Sequence, residues 1–377
     1  SANEPLQSWI NSQTQFSKHR ILSNIAPFAD DPSALPGAVC ASPSRHHPDY
    51  YYAWTRDSAL VMNEMFSWLL LNQTMGDTVQ QRIDDYVGFT RHLQSLPGLR
   101  YGLGEAKFHM DGSAFTGSWC NAQTDGPAIR AYMLTKYAGY LRDRGHPVDY
   151  LYSSQAKSVI KTDLEYITEM WQDTRSCDIW EETRGAHFYT RMAQWRALLD
   201  GSELARSLGD TKGYIKYRGQ ARALERDLGR FWDARRGHLL TTLDWSGGLA
   251  SKQSNLDTQV LLAALHFGNT DSKYSVASVQ MMATVSRLVE AFGSLYPINS
   301  VVSTDISGIS VPIGVAIGRY PEDVYNGDGT SMGNPWSLAT SAMAEYHYRL
   351  GVAFTAMQRV PATHELAEIL NLPVSGP

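Results

Sequence analysis

Cysteine is scarce in this chain: Cys40, Cys120 and Cys177 are the only three in 377 residues. An odd count leaves at least one thiol free or paired outside the chain, and so sparse a set is no disulfide scaffold. No histidine cluster accompanies them, which argues against a zinc site. Long apolar runs are missing too. The longest, around Trp68-Leu69-Leu70-Leu71, is interrupted by polar residues and is too short for a bilayer. Nor is there a basic run, since 33 Lys and Arg face 38 Asp and Glu for a net charge of −5. Neither nucleic acid nor a membrane is therefore an expected partner. The sequence opens on Ser1 rather than Met and shows no signal peptide, as a processed or excised product would. Asn72-Gln73-Thr74 is the sole glycosylation acceptor found.

What the chain has in excess is aromatic surface. Ten Trp and twenty Tyr exceed the needs of core packing, and many sit beside Gly, Pro or charged residues. Helical periodicity dominates the rest. Residues 211–234 carry Tyr214, Tyr217, Ala221, Leu224, Leu228 and Phe231 on a three-four spacing. Residues 154–171 do the same with Ala156, Val159, Ile160, Leu164, Ile167, Met170 and Trp171. Similar stripes predict helices over 58–71, 80–95, 125–143, 188–207, 256–267, 275–292 and 336–350, with a weaker one at 5–19. No compositional break marks a second domain, so residues 1–377 are expected to form one all-α domain. The connections 30–54, 98–122, 236–255 and 294–333 are long, aromatic and rich in Gly, Pro and Ser. Long loops in a compact domain are usually functional. The pattern suggests a toroid of helices with one elaborated end, in which runs such as Ser300-Val301-Val302-Ser303 allow small hairpins at most.

The densest chemistry is Asp178-Ile179-Trp180-Glu181-Glu182, three carboxylates and an indole in five residues. Adjacent Glu181 and Glu182 cannot share one face of a helix or strand, so the segment reads as a turn that aims them differently. Like charges this close raise one pKa, and a neighbouring Trp180 desolvates what it packs on. A carboxylic acid kept protonated near neutrality is what protonation of a leaving oxygen requires. Indole with carboxylates is also the usual chemistry of a sugar pocket. The competing reading is a surface acidic turn.

Three further segments sit where long loops meet helices. Tyr50-Tyr51-Tyr52-Ala53-Trp54-Thr55-Arg56-Asp57-Ser58 leads into a helix, where Asp57 or Ser58 could serve as an N-cap. An Arg56–Asp57 pair behind tyrosines and Trp54 is also a clamp for vicinal hydroxyls, because Arg donates in a fixed fork and Asp accepts. Gly104 to Phe108 and Thr116-Gly117-Ser118-Trp119 precede Asp125-Gly126-Pro127, a helix start. Gly318-Arg319-Tyr320-Pro321-Glu322-Asp323-Val324-Tyr325 is followed by Gly333-Asn334-Pro335-Trp336.

Together these segments resemble the glucoamylases, glycoside hydrolase family 15. Tyr51 to Ser58, Leu103 to Phe108, Phe115 to Trp119 with Asp125 to Ala128, Asp178 to Glu182, and Gly318 to Asp323 with Gly333 to Trp336 match that family's motifs in order and spacing. The resemblance implies an (α/α)6 barrel with its pocket in the loops at one end. It makes Glu181 the general acid and Glu182 a ligand of the sugar beyond the cleaved bond. Arg56 and Asp57 would hold the terminal glucose, with Tyr50 and Trp54 lining its subsite. Trp119 would lie over the pocket, Arg319 would bind on both sides of the scissile bond, and Tyr325, Trp336 and Trp180 would complete the wall. Asp178 would support the acid's surroundings. Arg56 and Asp57 are expected to converge with Trp119 and Arg319.

The implied activity is that of a glucan 1,4-alpha-glucosidase: inverting, exo-acting release of glucose from non-reducing ends of α-1,4-glucans, starch or malto-oligosaccharides. Trehalose- or dextran-type linkages are close variants. No metal or organic cofactor is called for, because acid, base and water suffice. A secreted monomer is expected. The family's second carboxylate segment has one echo, Glu365-Leu366-Ala367-Glu368-Ile369, which makes Glu368 the candidate base. The sequence ends at Pro377, soon after Trp336, so the final C-terminal helices of the barrel are expected to be missing and apolar surface exposed. The alternative function is a glycan-binding homologue or fragment that keeps the pocket but lacks the base. An all-α interaction scaffold would have no use for the clustered loop aromatics.

Overall fold

The structure, a computed structural model, describes residues 4–71, 76–269, 273–304, 310–312 and 314–357. Glu368 and Asn72-Gln73-Thr74 lie outside the described residues. Ten α-helices run through the rest: α1 (Glu4–Leu22), α2 (Thr55–Leu70), α3 (Gly76–Ser95), α4 (Asp125–Arg142), α5 (Val159–Met170), α6 (Phe188–Ser207), α7 (Thr211–Leu228), α8 (Gln259–Phe267), α9 (Val279–Gly293) and α10 (Ser337–Met357). Each falls on one of the predicted stripes.

Three of the boundaries that moved, those of α5, α9 and α7, did so for local reasons. α5 begins at Val159 rather than 154 because the Ser153 hydroxyl accepts from the amides of Gln155 and Ala156, and Ser158 Oγ from that of Ser153. Such side-chain bonds offer the backbone an alternative to helix. α9 waits for Ser278, whose hydroxyl caps the amide of Met281. α7 stops at Leu228, after which Gly229–Phe231 tightens into a 3-10 turn and Trp232–Asp233 pairs antiparallel with His238–Leu239.

The chain divides into two compact units, Ser1–Trp171 with Ala197–Gly219, and Gln172–Arg196 with Gln220–Pro377. In the first, α4 is buried nearly all round, as a central helix must be. Arg130 on α4 grips Asp163 on α5 through two bonds of 2.7 Å, and Gln94 on α3 adds a third donor at 3.0 Å. The first long loop closes over Ala26, Ala38, Cys40, Phe89 and Leu93, into which Ala53 and Phe108 insert from the short antiparallel pair Ala53–Trp54 and Lys107–Phe108. Cys40 is a free, buried thiol, and burial pushes it up to about 11.

The second unit holds two strand pairings of note. Val302–Thr304 pairs with Ser310–Pro312, the small hairpin the sequence allowed. Thr183–His187 pairs with Thr242–Gly248, a ribbon the helical reading did not anticipate. It starts at the acidic turn and ties that turn to the loop before α8. On α10, Leu338, Tyr348, Val352 and Met357 face solvent.

Candidate active site

Residues 179–182 form a turn, as the adjacent glutamates required, and Glu181 occupies the left-handed region at φ 64°. That conformation costs a non-glycine residue on the order of 1–3 kcal/mol and persists only where neighbours over-determine it. Here Asp178 does so. Its carbonyl accepts from the Glu181 amide at 3.0 Å, and its Oδ1 accepts from the amides of Glu182 at 2.8 Å and Thr183 at 3.0 Å. The Asp178 carboxylate is fully buried. Burial would raise its pKa, but the Lys252 ammonium, His187 and those two amides outweigh it and hold the group at about 2. His187 itself sits between the Ser176 carbonyl and the Thr242 hydroxyl, with its pKa lowered by burial.

The opposite side of the turn is closed by backbone. Leu249 donates to the Glu182 carbonyl at 2.9 Å, and Gly248 sits at φ 86° against it. A Cβ on Gly248 would lie 2.2 Å from that carbonyl oxygen, so only glycine fits.

Glu182 is fixed by three donors. Arg319 Nη2 lies 2.8 Å from Oε1, while the Tyr320 hydroxyl at 2.7 Å and Lys252 Nζ at 3.0 Å share Oε2. A carboxylate offers about four acceptor positions, so one direction remains for a ligand hydroxyl. Arg319 is 3% exposed and also grips Asp323 through bonds of 2.7 and 2.6 Å. Its guanidinium lies about 5 Å from the rings of Trp180, Tyr325 and Trp336. Trp336 in turn meets Trp180 at 6.1 Å and Tyr325 at 6.0 Å between ring centroids. The Trp180 indole N–H donates to Asp257 at 2.9 and 3.1 Å. Asp178, Trp180, Glu182, Arg319, Tyr325 and Trp336 thus converge, although the chain separates them widely.

In the first unit a second set converges. Trp54 meets Tyr50 at 6.0 Å, Tyr52 at 6.0 Å and Trp119 at 5.9 Å, all edge to face. Lys107, the register partner of Trp54, places its ammonium 3.2 Å from the Trp119 ring centroid and 4.3 Å from that of Phe115. Arg56 Nη1 donates to Gln123 at 2.8 Å and Asp125 at 3.0 Å, and its Nε lies 3.6 Å from Asp57. The N-cap of α2 is Trp54, without a side-chain bond, so neither Asp57 nor Ser58 is the cap. Asp57 is 41% exposed in the first turn.

These constellations can be set beside known proteins. The family model for glycosyl hydrolases family 15 matches residues 16–376. The chain belongs to glycosyl hydrolase family 15. It is 37% identical over 361 residues to a glucoamylase of Blastobotrys adeninivorans, covering 92% of this chain and 56% of that protein. It is 35% identical over 348 residues to glucoamylase 1 of Rhizopus oryzae, covering 92% of this chain and 55% of that one. The chain therefore spans a little over half the length of these curated relatives. A solved glucoamylase from Saccharomycopsis fibuligera superposes with a TM-score of 0.83 at 31% identity, covering 97% of this chain and 77% of that one. The fold class is the all-α (α/α)6 barrel of those glucoamylases, as the motifs implied.

Among the residues of this family 15 chain that the sequence reading did not assign to the site are Lys252, Asp257, Tyr320 and Asp323. Asp323 lay within a quoted motif, four residues after Arg319, a spacing that could have suggested the pair. Lys252 and Asp257 stand 74 and 77 positions from their partners Asp178 and Trp180, and nothing in Ser251-Lys252-Gln253-Ser254 signals a buried cation. Asp257 is buried, and desolvation pushes it up to about 6 despite Lys252. Lys252 stays charged because Asp178, Asp257 and Glu182 outweigh the desolvation that would lower it.

Proposed function

We propose that this chain acts as a glucan 1,4-alpha-glucosidase that releases glucose, with inversion, from non-reducing ends of α-1,4-glucans such as starch and malto-oligosaccharides. The observation that carries the reading is the Asp178–Glu182 turn, which presents Glu181 in a fixed backbone conformation beside a Glu182 carboxylate already held by three donors. Glu181 protonates the glycosidic oxygen. Glu182 accepts a hydroxyl of the sugar beyond that bond, and Asp178 holds the backbone of both. Arg56 and Asp57 bind the terminal glucose, with Tyr50, Trp54 and Trp119 offering ring faces and edges to it. Trp180, Arg319, Tyr325 and Trp336 supply the wall on the Glu182 side. Glu368 is the candidate for the carboxylate that activates water, and an inverting site needs about 6.5–9.5 Å between its two carboxyl groups. A polymeric substrate outside the cell favours a secreted enzyme.

The test is incubation with maltotriose and maltoheptaose while glucose and its anomeric form are followed. Inversion at an α-linkage gives β-glucose first, removed one unit at a time. Early α-glucose, or internal fragments of maltoheptaose, would refute the mechanism. Binding without any cleavage would refute the hydrolase reading.

A further inference from the structure

We infer that Lys252 is a positioning residue that sets Glu182 and the acid-bearing turn together, an assignment that rests on the glycosidase reading of that turn. Its side chain is 5% exposed, and its Nζ lies 3.0 Å from Glu182 Oε2, 3.1 Å from Asp178 Oδ2 and 3.7 Å from Asp257 Oδ2. Beneath it is the face of Tyr320, with the ring centroid at 4.0 Å. An ammonium has three donors and no acceptor, and here all of its near neighbours accept. Arg319 and His187 stand one contact further out, on Glu182 and the Asp178 side respectively, and Asp323 lies one beyond that, on Arg319. Two cations thus face four buried or half-buried carboxylates, and Lys252 is the one that touches three of them.

The geometry gives Lys252 a double hold. It binds the Glu182 side chain directly. It also binds the outer oxygen of Asp178, whose inner oxygen carries the amides of Glu182 and Thr183. One ammonium therefore bridges the first and last carboxylates of the five-residue turn, and Glu181 lies between them. Asp257 extends the hold to the pocket wall, since it accepts from the Trp180 indole. Charge-assisted bonds in a desolvated setting are the strong class of hydrogen bond, so loss of this group should loosen the acceptor rather than merely empty a small volume.

The experiment uses the full chain and a thio-linked maltoside that is not cleaved, with affinity read by titration calorimetry. Lys252→Met is expected to weaken binding by roughly 10- to 100-fold, the range for a lost hydrogen bond to a charged group. Lys252→Met combined with Glu182→Gln should bind little worse than Glu182→Gln alone, because both changes act at one contact. Unchanged affinity in Lys252→Met overturns the assignment, and so do losses that simply add. A second readout needs no sugar. The fall in thermal midpoint caused by Lys252→Met should be larger near pH 7 than near pH 4, since acid relieves the buried carboxylates left without their cation. An equal fall at both pH values signals lost packing only and overturns the assignment. If the parent chain binds no maltoside yet shows the pH-dependent fall, the glycosidase reading fails while the hold on the turn stands. Should Lys252→Met not fold, Lys252→Met with Asp257→Asn removes one buried negative charge together with the ammonium and yields the same two readouts.

Discussion

The strand around Trp54 and the turn around Glu182 both immobilise candidate site residues, but by opposite means. Around Trp54 the hold is aromatic. Five edge-to-face contacts link Tyr50, Tyr52, Phe115 and Trp119 with Trp54 or one another, and the Lys107 ammonium sits among the rings. Around Glu182 the hold is ionic, with Lys252 and Arg319 gripping Asp178, Glu182 and Asp323 at 2.6–3.1 Å. The lesson concerns sensitivity. Ring contacts change little with pH, whereas a buried charge network stabilises only while its members keep their protonation states.

The largest effect expected in the ionic region is chemical. Glu181→Gln keeps the shape of the turn and removes the transferable proton, so kcat on maltoheptaose should fall by ~10²–10⁴-fold. Near wild-type turnover would exclude Glu181 as the acid. Next in size is Asp178→Ala, which strips two amides of their acceptor and leaves Lys252 short of a partner. Breaking a buried pair from one side costs about 3–5 kcal/mol, and denaturant midpoints would measure it. A loss under about 1 kcal/mol, the range of an exposed pair, would mean the network contributes little.

Asp257→Asn sharpens the contrast through pH. Asp257 titrates at about 6 in the folded protein, above the ordinary unfolded value near 3.9. A raised folded pKa contributes stability that is complete below about pH 4 and lost as pH rises through about 6. The asparagine variant lacks that dependence and still accepts from the Trp180 indole. Relative to the parent, its stability should therefore rise between pH 4 and pH 6, by on the order of 2 kcal/mol. A difference that stays flat over that interval would show that Asp257 does not titrate there.

The two regions also differ in how far their sequence revealed them. All ten helices announced themselves by apolar spacing, and the turn at 179–182 followed from two adjacent carboxylates. The aromatic region was legible because Tyr50, Trp54 and Trp119 are conspicuous residues in ordered motifs. The ionic region was half legible. Glu182 and Arg319 belonged to motifs, but Lys252 and Asp257 reach their partners only through the ribbon of Thr183–His187 with Thr242–Gly248 and the start of α8. Strand pairing between segments so far apart has no local period in a helical chain, and a lone Lys among Ser and Gln looks like any solvated loop residue. Glu368 lies outside the described residues, so its part as the base is a matter for kinetics.

The smallest expected effect tests the aromatic side of the comparison. Phe115 touches Tyr52 at 5.4 Å and Trp119 at 6.2 Å between centroids, near the Lys107 ammonium at 4.3 Å. Phe115→Leu keeps an apolar side chain but removes those two edge contacts, a tilted contact with the His109 ring at 6.0 Å and the π face turned to the cation. Each aromatic pair is worth about 0.5–1.5 kcal/mol beyond the area it buries, so a loss of about 1–2 kcal/mol is expected, read from denaturant midpoints. Trp119 loses one edge contact but keeps those to Trp54 and Lys107, so substrate affinity should fall only a few-fold. No charge is removed, and the pH profile of glucose release should therefore coincide with that of the parent after scaling. A shifted profile in Phe115→Leu would mean that the aromatic cluster tunes a titrating group, and the division between a ring-held and a charge-held region would have to be given up.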